Sequence, residues 1–153
     1  MFLFIFTLLI LLDQFSKYSA EHFLAGQKIH LIGDFLTLSF VKNTGIAFSF
    51  PIEGIILKIL TVTLIAGICW YYLRHETLKK LIATRLAYTL ILSGAVSNGF
   101  ERVFIGSVTD FIGVKYFAIF NFADIFISIG AFMLFIIYYK HERRTKGGFS
   151  KTK

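Results

Sequence analysis

The sequence predicts an all-α membrane protein of four transmembrane helices, with two extended stretches on one membrane face. Three observations carry this. The 153 residues are 56% hydrophobic, with a mean hydropathy of +0.72, whereas soluble domains are about 45–50% apolar. The excess lies in long apolar runs, as membrane insertion requires. Lysine and arginine collect in one short loop and in the tail, and two mixed stretches alternate or carry β-branched residues as strands do. The length suits one domain over residues 1–153.

The first span starts at Met1. Its uninterrupted apolar part ends at Leu12, about 18 Å of helix at 1.5 Å per residue. A hydrocarbon core of about 30 Å needs more, so the helix is expected to continue through Asp13, Ser16 and Lys17 to residue 20. A basic start and an Ala-x-Ala site are missing, so a retained anchor is expected rather than a cleaved signal. The second span is placed at 54–73, the third at 81–99 and the fourth at 123–139. Between the first two, Leu36–Val41 alternates with period two, as a half-buried strand would. The stretch 103–120, with Gly106 and Gly113, has the same character.

Orientation follows from the basic residues. Arg74, Lys79 and Lys80 lie between spans two and three, and Lys140, Arg143, Arg144 and Lys146 follow span four. With four spans both groups fall on one side, the cytoplasm. Both termini are then cytoplasmic, and residues 21–53 and 100–120 face outward. The net charge of +7 comes largely from the tail at 140–153, which reads as an anchor at anionic lipid rather than as a nucleic-acid surface. The lone Cys69 allows no internal disulfide. His75-Glu76 and His141-Glu142 lack a second histidine at zincin spacing, and the Gly94–Gly99 gap has no P-loop lysine after it. No metal or cofactor is expected.

Ionisable residues inside spans are costly and default to functional candidates. Asp13, Ser16 and Lys17 share one helical face, where an Asp13–Lys17 ion pair is the structural explanation. Asn98 and Arg102 are four apart at the outer end of span three. Arg102 there suits a headgroup anchor, whereas the Asn98 amide needs partners. Lys58 and Arg85 lie near span ends and can snorkel. Asp124, at the outer mouth of span four, could be a first-turn acid facing the helix dipole. Asp110 could sit in an Asx turn. Together they suggest more. The topology places Asn43, Asn98, Arg102, Asp110, Asn121 and Asp124 at one membrane boundary from four chain segments. Two carboxylates held close share a proton. One can then activate water while the other protonates a carbonyl or amine.

Five pieces of the chain resemble the lipoprotein signal peptidase (signal peptidase II) family: Asp13–Lys17; Asn43–Ser49; Gly94–Asn98 with Glu101-Arg102; Val108–Phe111; and Phe120–Asp124. The resemblance covers nearly all of the chain ahead of the basic tail. It implies four transmembrane helices, a small extracytoplasmic β-cradle and a short amphipathic surface helix. It implies Asp110 and Asp124 as the catalytic pair, with Asn43, Gly45, Asn98, Arg102, Asn121 and Ala123 positioning substrate or dyad. It implies a diacylglyceryl-modified prolipoprotein as substrate, cleaved just before the lipidated cysteine, and a bacterial inner-membrane location with the active site at the outer face. A monomer in membrane lipid, with no nucleic-acid partner, is expected. The family usually has Gly where this chain has Ser93 and Ser97, and Asp where it has Glu101. Two other readings compete: a small proton-coupled transporter using Asp13 or Asp124, and a non-catalytic scaffold.

Overall fold

The computed structural model describes residues 1–45, 54–78 and 80–148. Four helices and four strands follow in the order α1 (Phe2–Phe23), β1 (Lys28–Ile32), β2 (Leu36–Asn43), α2 (Gly54–Arg74), α3 (Ile82–Phe104), β3 (Val108–Val114), β4 (Ala118–Phe120) and α4 (Phe122–Gly148). The strands form one antiparallel sheet in the order β1-β2-β3-β4. The architecture is therefore mostly helical with a small sheet, not all-α. The alternating stretch is β2, and the stretch 103–120 divides: residues 103–104 close α3, and the rest forms β3, a turn and β4.

α1, α2 and the Phe122–Thr145 part of α4 are long and apolar enough to cross a membrane; α3, the expected third span, is not among them. The reason is compositional. α3 has 23 residues, about 34 Å of helix, but carries Arg85, Thr89, Ser93, Ser97, Asn98, Glu101 and Arg102. Thr89, Ser93, Ser97, Asn98 and Glu101 are buried, because α3 packs against each of the other three helices. Hydropathy registers their polarity and not their shelter. α3 also runs past the expected end at residue 99 to Phe104, and α4 carries helix through residues 140–148, into the stretch read as the basic tail. The short amphipathic helix is absent from the described residues, and residues 46–53 lie outside them, as does the Ile46–Ser49 part of the second family motif.

Glycine sets the closest helix approach. A Cβ on Gly94 of α3 would lie 2.3 Å from the Ala123 carbonyl oxygen of α4, and one on Gly130 of α4 would lie 2.6 Å from the Ala87 carbonyl oxygen of α3. Ala87 and Ala123 are themselves fully buried, so the two backbones touch along a seam of small residues, as membrane helices do where no hydrophobic force separates them from lipid. The sheet rests on the end of α1, where Ala20, Leu24 and Phe111 form a small apolar core with Leu38, Phe40, Ile112 and Phe122 against it. Phe111 meets Phe122 edge to face at 5.4 Å. These contacts bring β3 and the first turn of α4 together beside the C-terminal half of α3.

Candidate active site

Asp124 owes its place to local helix chemistry. Asn121 is the residue before α4 and Asp124 the third within it. The Asp124 backbone N–H donates to Asn121 Oδ1 at 3.1 Å, and the Asn121 N–H donates to Asp124 Oδ2 at 3.1 Å. This is a reciprocal capping box, in which two orphan amides of the helix start are satisfied. The first-turn reading of Asp124 is thus correct as far as it goes. Its other oxygen, Oδ1, accepts Nδ2 of Asn98 at 2.9 Å.

Asp110 lies within β3 opposite Val41, so it belongs to a strand and not to a turn. Its Oδ2 accepts Asn43 Nδ2 at 3.0 Å, and its Oδ1 accepts Asn121 Nδ2 at 2.8 Å. The same Asn121 amide reaches Asn98 Oδ1 at 3.1 Å and the Thr109 carbonyl at 3.2 Å. One buried asparagine therefore connects both aspartates, α3 and β3. Asn43 is fixed in turn by the Gly45 N–H, which donates to its Oδ1 at 3.1 Å, an Asx turn. Burial pushes the Asp110 carboxyl up to about 6; the Asn43 donor opposes this and the nearby Asp124 charge adds to it.

Behind the two aspartates lies a buried ion cluster. Lys17 Nζ sits 2.7 Å from Asp13 Oδ2 and 2.9 Å from Glu101 Oε2, with all three side chains at most 4% exposed, and it donates to Asn98 Oδ1 at 2.7 Å. Asp13 Oδ1 accepts the Ala123 N–H at 2.8 Å. Glu101 accepts the Thr109 N–H at 3.2 Å and the Thr109 hydroxyl at 2.7 Å. Ser97 donates its hydroxyl to Asp13 Oδ2 at 2.7 Å and accepts Gln14 Nε2 at 2.9 Å.

The structure thus gathers Asp13, Lys17, Asn43, Asn98, Asp110, Asn121, Ala123 and Asp124 into one connected site, with Gly45 at its edge. Arg102 lies beside it, within electrostatic reach of Asp124, and its buried Nε has no hydrogen-bond partner among the described residues. Gln14 and Thr109 lie inside the motifs that carry the resemblance but received no role there, and Lys42, which donates to the Thr109 hydroxyl at 3.0 Å, was not singled out. Their contacts join residues 67 and 83 apart in the chain, and local spacing carries no signal for that. Lys58 does not snorkel; its ammonium donates to the Val103 carbonyl at 2.8 Å and so closes the end of α3. At the far end of the helices Glu76, dismissed above as half a zinc motif, is buried, bonded by the Leu78 N–H at 2.6 Å and by the Tyr138 hydroxyl.

A network of this kind can hold two carboxylates with one proton between them, which is the equipment for splitting an amide with water. The comparisons agree with that chemistry. The sequence model of a family described as signal peptidase (SPase) II matches residues 5–140. The lipoprotein signal peptidase of Fusobacterium nucleatum subsp. nucleatum is 35% identical over 153 residues, covering 95% of this chain and 91% of its own length. That of Bartonella bacilliformis is 39% identical over 154 residues, covering 94% and 90%. A bacterial membrane enzyme solved by the in meso method at 2.3 Å resolution shares the fold with a TM-score of 0.80, at 26% identity, over 91% of this chain and 87% of its own. With the match spanning the ion cluster, both aspartates and nearly every element around them, this chain belongs to the signal peptidase II family.

Proposed function

We propose that this chain is a membrane aspartic endopeptidase that removes signal peptides from diacylglyceryl-modified prolipoproteins, with Asp110 and Asp124 as its catalytic pair and cleavage just before the lipidated cysteine. The observation that carries the reading is the Asn121 amide side chain and backbone joined to both carboxylates at once, at 2.8 Å to Asp110 and 3.1 Å to Asp124. Such a tie holds two acids side by side while neither is neutralised by a direct ion pair. The transporter reading falls with the family membership.

The steps balance with one proton shared by the pair. Asp124, which accepts an N–H on each oxygen and lies within electrostatic reach of Arg102, is assigned as the base. It takes a proton from water as the water oxygen attacks the scissile carbonyl. Asp110, held up to about 6, gives its proton to the carbonyl oxygen. As the tetrahedral intermediate collapses, Asp124 returns its proton to the departing cysteine nitrogen and Asp110 recovers one from the intermediate's hydroxyl. Arg102, within electrostatic reach of Asp124, holds substrate beside the pair. Asn43, Gly45, Asn98, Asn121 and Ala123 position the pair, and Asp13 with Lys17 braces it.

The enzyme works as a four-span protein of the bacterial inner membrane, with α3 as the third span. The sheet forms an extracytoplasmic cradle, and both termini are cytoplasmic. A substrate anchored by diacylglycerol then presents its cysteine near the interface where α4 begins. The test is a gel-shift cleavage assay with purified enzyme in detergent. A diacylglyceryl-modified prolipoprotein is run beside its unmodified form and beside the Asp124→Asn enzyme. Cleavage of the lipidated form only, abolished in Asp124→Asn, supports the reading. Cleavage by folded Asp124→Asn enzyme refutes the dyad.

A further inference from the structure

We propose that Lys17 is a positioning residue of the reaction and more than a neutralising partner for Asp13. Its ammonium orients the Asn98 amide so that Asn98 Nδ2 must donate to Asp124, and so holds that carboxylate in its water-activating form. The inference rests on the dyad reading and deepens it.

The orientation is forced by hydrogen-bond chemistry. An ammonium has three donors and no acceptor. All three are used, on Asp13 at 2.7 Å, Glu101 at 2.9 Å and Asn98 at 2.7 Å. The Asn98 atom facing Lys17 must therefore be the carbonyl oxygen, and the –NH2 end must face away. There it meets Asp124 Oδ1 at 2.9 Å. Asn121 Nδ2, at 3.1 Å from the same Asn98 oxygen, enforces the same orientation. The result is a one-way chain of donors from Lys17 through Asn98 to Asp124, inside a region where Lys17 is 2% and Asn98 4% exposed. Low dielectric makes such a chain count.

The cluster also grips the backbone beside each aspartate. Asp13 binds the N–H of Ala123, the residue before Asp124, and Glu101 binds the N–H of Thr109, the residue before Asp110. Among the hydrogen bonds and ion pairs described, Lys17 joins the two grips by pairing with both acids. The other charged groups facing this region are Asp110 on β3, on which the Lys17 charge also acts, Arg102 on α3, which acts on Asp124, and Lys42 on β2, which is bonded to Thr109 and Glu21. Lys58 on α2 is occupied by the Val103 carbonyl. None of these three cations contacts Asn98 in the hydrogen bonds described; Asn121, the other donor to the Asn98 oxygen, is a neutral amide at 3.1 Å and supplies no charge to the chain of donors.

Removing Lys17 alone leaves two buried carboxylates unpaired, which can unfold a protein. The test therefore uses two variants, Lys17→Met and the neutral triple Asp13→Asn/Lys17→Met/Glu101→Gln, with cleavage of diacylglyceryl-modified prolipoprotein followed across pH. In each folded variant kcat is expected to fall roughly 10- to 100-fold, the size of one hydrogen bond to a charged group, with KM little changed. In Lys17→Met both limbs of the pH–rate profile are expected to move to higher pH, because the lost cation acts on both carboxylates; in the triple variant, which also removes two negative charges, kcat falls without that upward move. Asn98→Ala should lower kcat by a similar factor and move the acid limb in the same direction, and adding it to Lys17→Met should lower kcat no further. A triple variant that folds and keeps the wild-type rate and limbs overturns the proposal. So does a triple variant that does not fold, or a folded Lys17→Met enzyme that loses rate with unmoved limbs, since both assign Lys17 a purely structural role. If Asp124→Asn in the otherwise natural enzyme still cleaves, the dyad reading itself fails, a distinct outcome.

Discussion

Asp110 is a carboxylic acid that folding makes reluctant to ionise. Burial pushes it from its usual 3.8 to about 6, so between those values the folded chain keeps a proton that the unfolded chain has released. The group's contribution to stability therefore falls as pH rises across that window and is flat above it. The consequence for turnover has the same sign. If Asp110 delivers the proton to the substrate carbonyl, kcat/KM declines as pH rises through about 6, approaching tenfold per unit, and a rate constant flat from pH 5 to 9 would contradict that role. Ser97 makes a separate case at this scale. Its hydroxyl reaches Asp13 Oδ2 and so is part of the ion cluster. Ser97→Gly is expected to cost about 2 kcal/mol, combining one hydrogen bond to a charged group with the glycine penalty inside a helix. Thermal unfolding in detergent checks this, and kcat should change far less than in Lys17→Met.

The elements hold these residues at fixed separations, and the tightest constraint is between α3 and α4. Ala in place of Gly94 puts a Cβ 2.3 Å from the Ala123 carbonyl oxygen, a contact that backbone must relieve by moving. Ala123 is one residue from Asp124, so the displacement passes directly into the capping box. Gly94→Ala is expected to lower kcat about 100-fold, as a misplacement of about 1 Å can, and to destabilise by about 1–3 kcal/mol through overpacking. Comparing cleavage and unfolding in the same preparation separates the two effects. Much at this scale was legible in the sequence. Apolar runs delimited α1 and α2 to within a few residues, and period-two alternation located β2, because each pattern reflects which environment a whole element meets. The end of α3 was not legible: Asn98, Glu101 and Arg102 look like a helix leaving the membrane, yet Asn98 and Glu101 are buried against α1, β3 and α4. The aspartates were legible only as a set. Their connection through Asn121 depends on tertiary contacts that no spacing encodes.

The whole molecule has two chemically different ends. One carries the sheet, where α1 and α3 finish and α4 starts; the other carries the α2–α3 loop and the start of α1. Arg74, Lys80 and the basic residues from Lys140 to Arg144 lie toward that second end, and cytoplasmic loops are the ones enriched in lysine and arginine. The hydropathy of α3 falls short of a membrane span, but a polar helix surrounded by three apolar ones needs no apolar surface of its own. The chain should therefore cross four times, with the sheet outside. Two single cysteines in a Cys69→Ala background test both the number of crossings and their direction. Tyr116, 93% exposed at the β3–β4 turn, should react as Tyr116→Cys with an impermeant maleimide added to intact cells. Lys80→Cys, in the α2–α3 loop, should react only after the membrane is opened. If both react from outside, or neither does, α3 does not cross and the three-span reading stands. The reverse pattern would keep four spans and turn the site toward the cytoplasm, where a lipoprotein precursor anchored in the outer leaflet could not present its cysteine to Asp110 and Asp124.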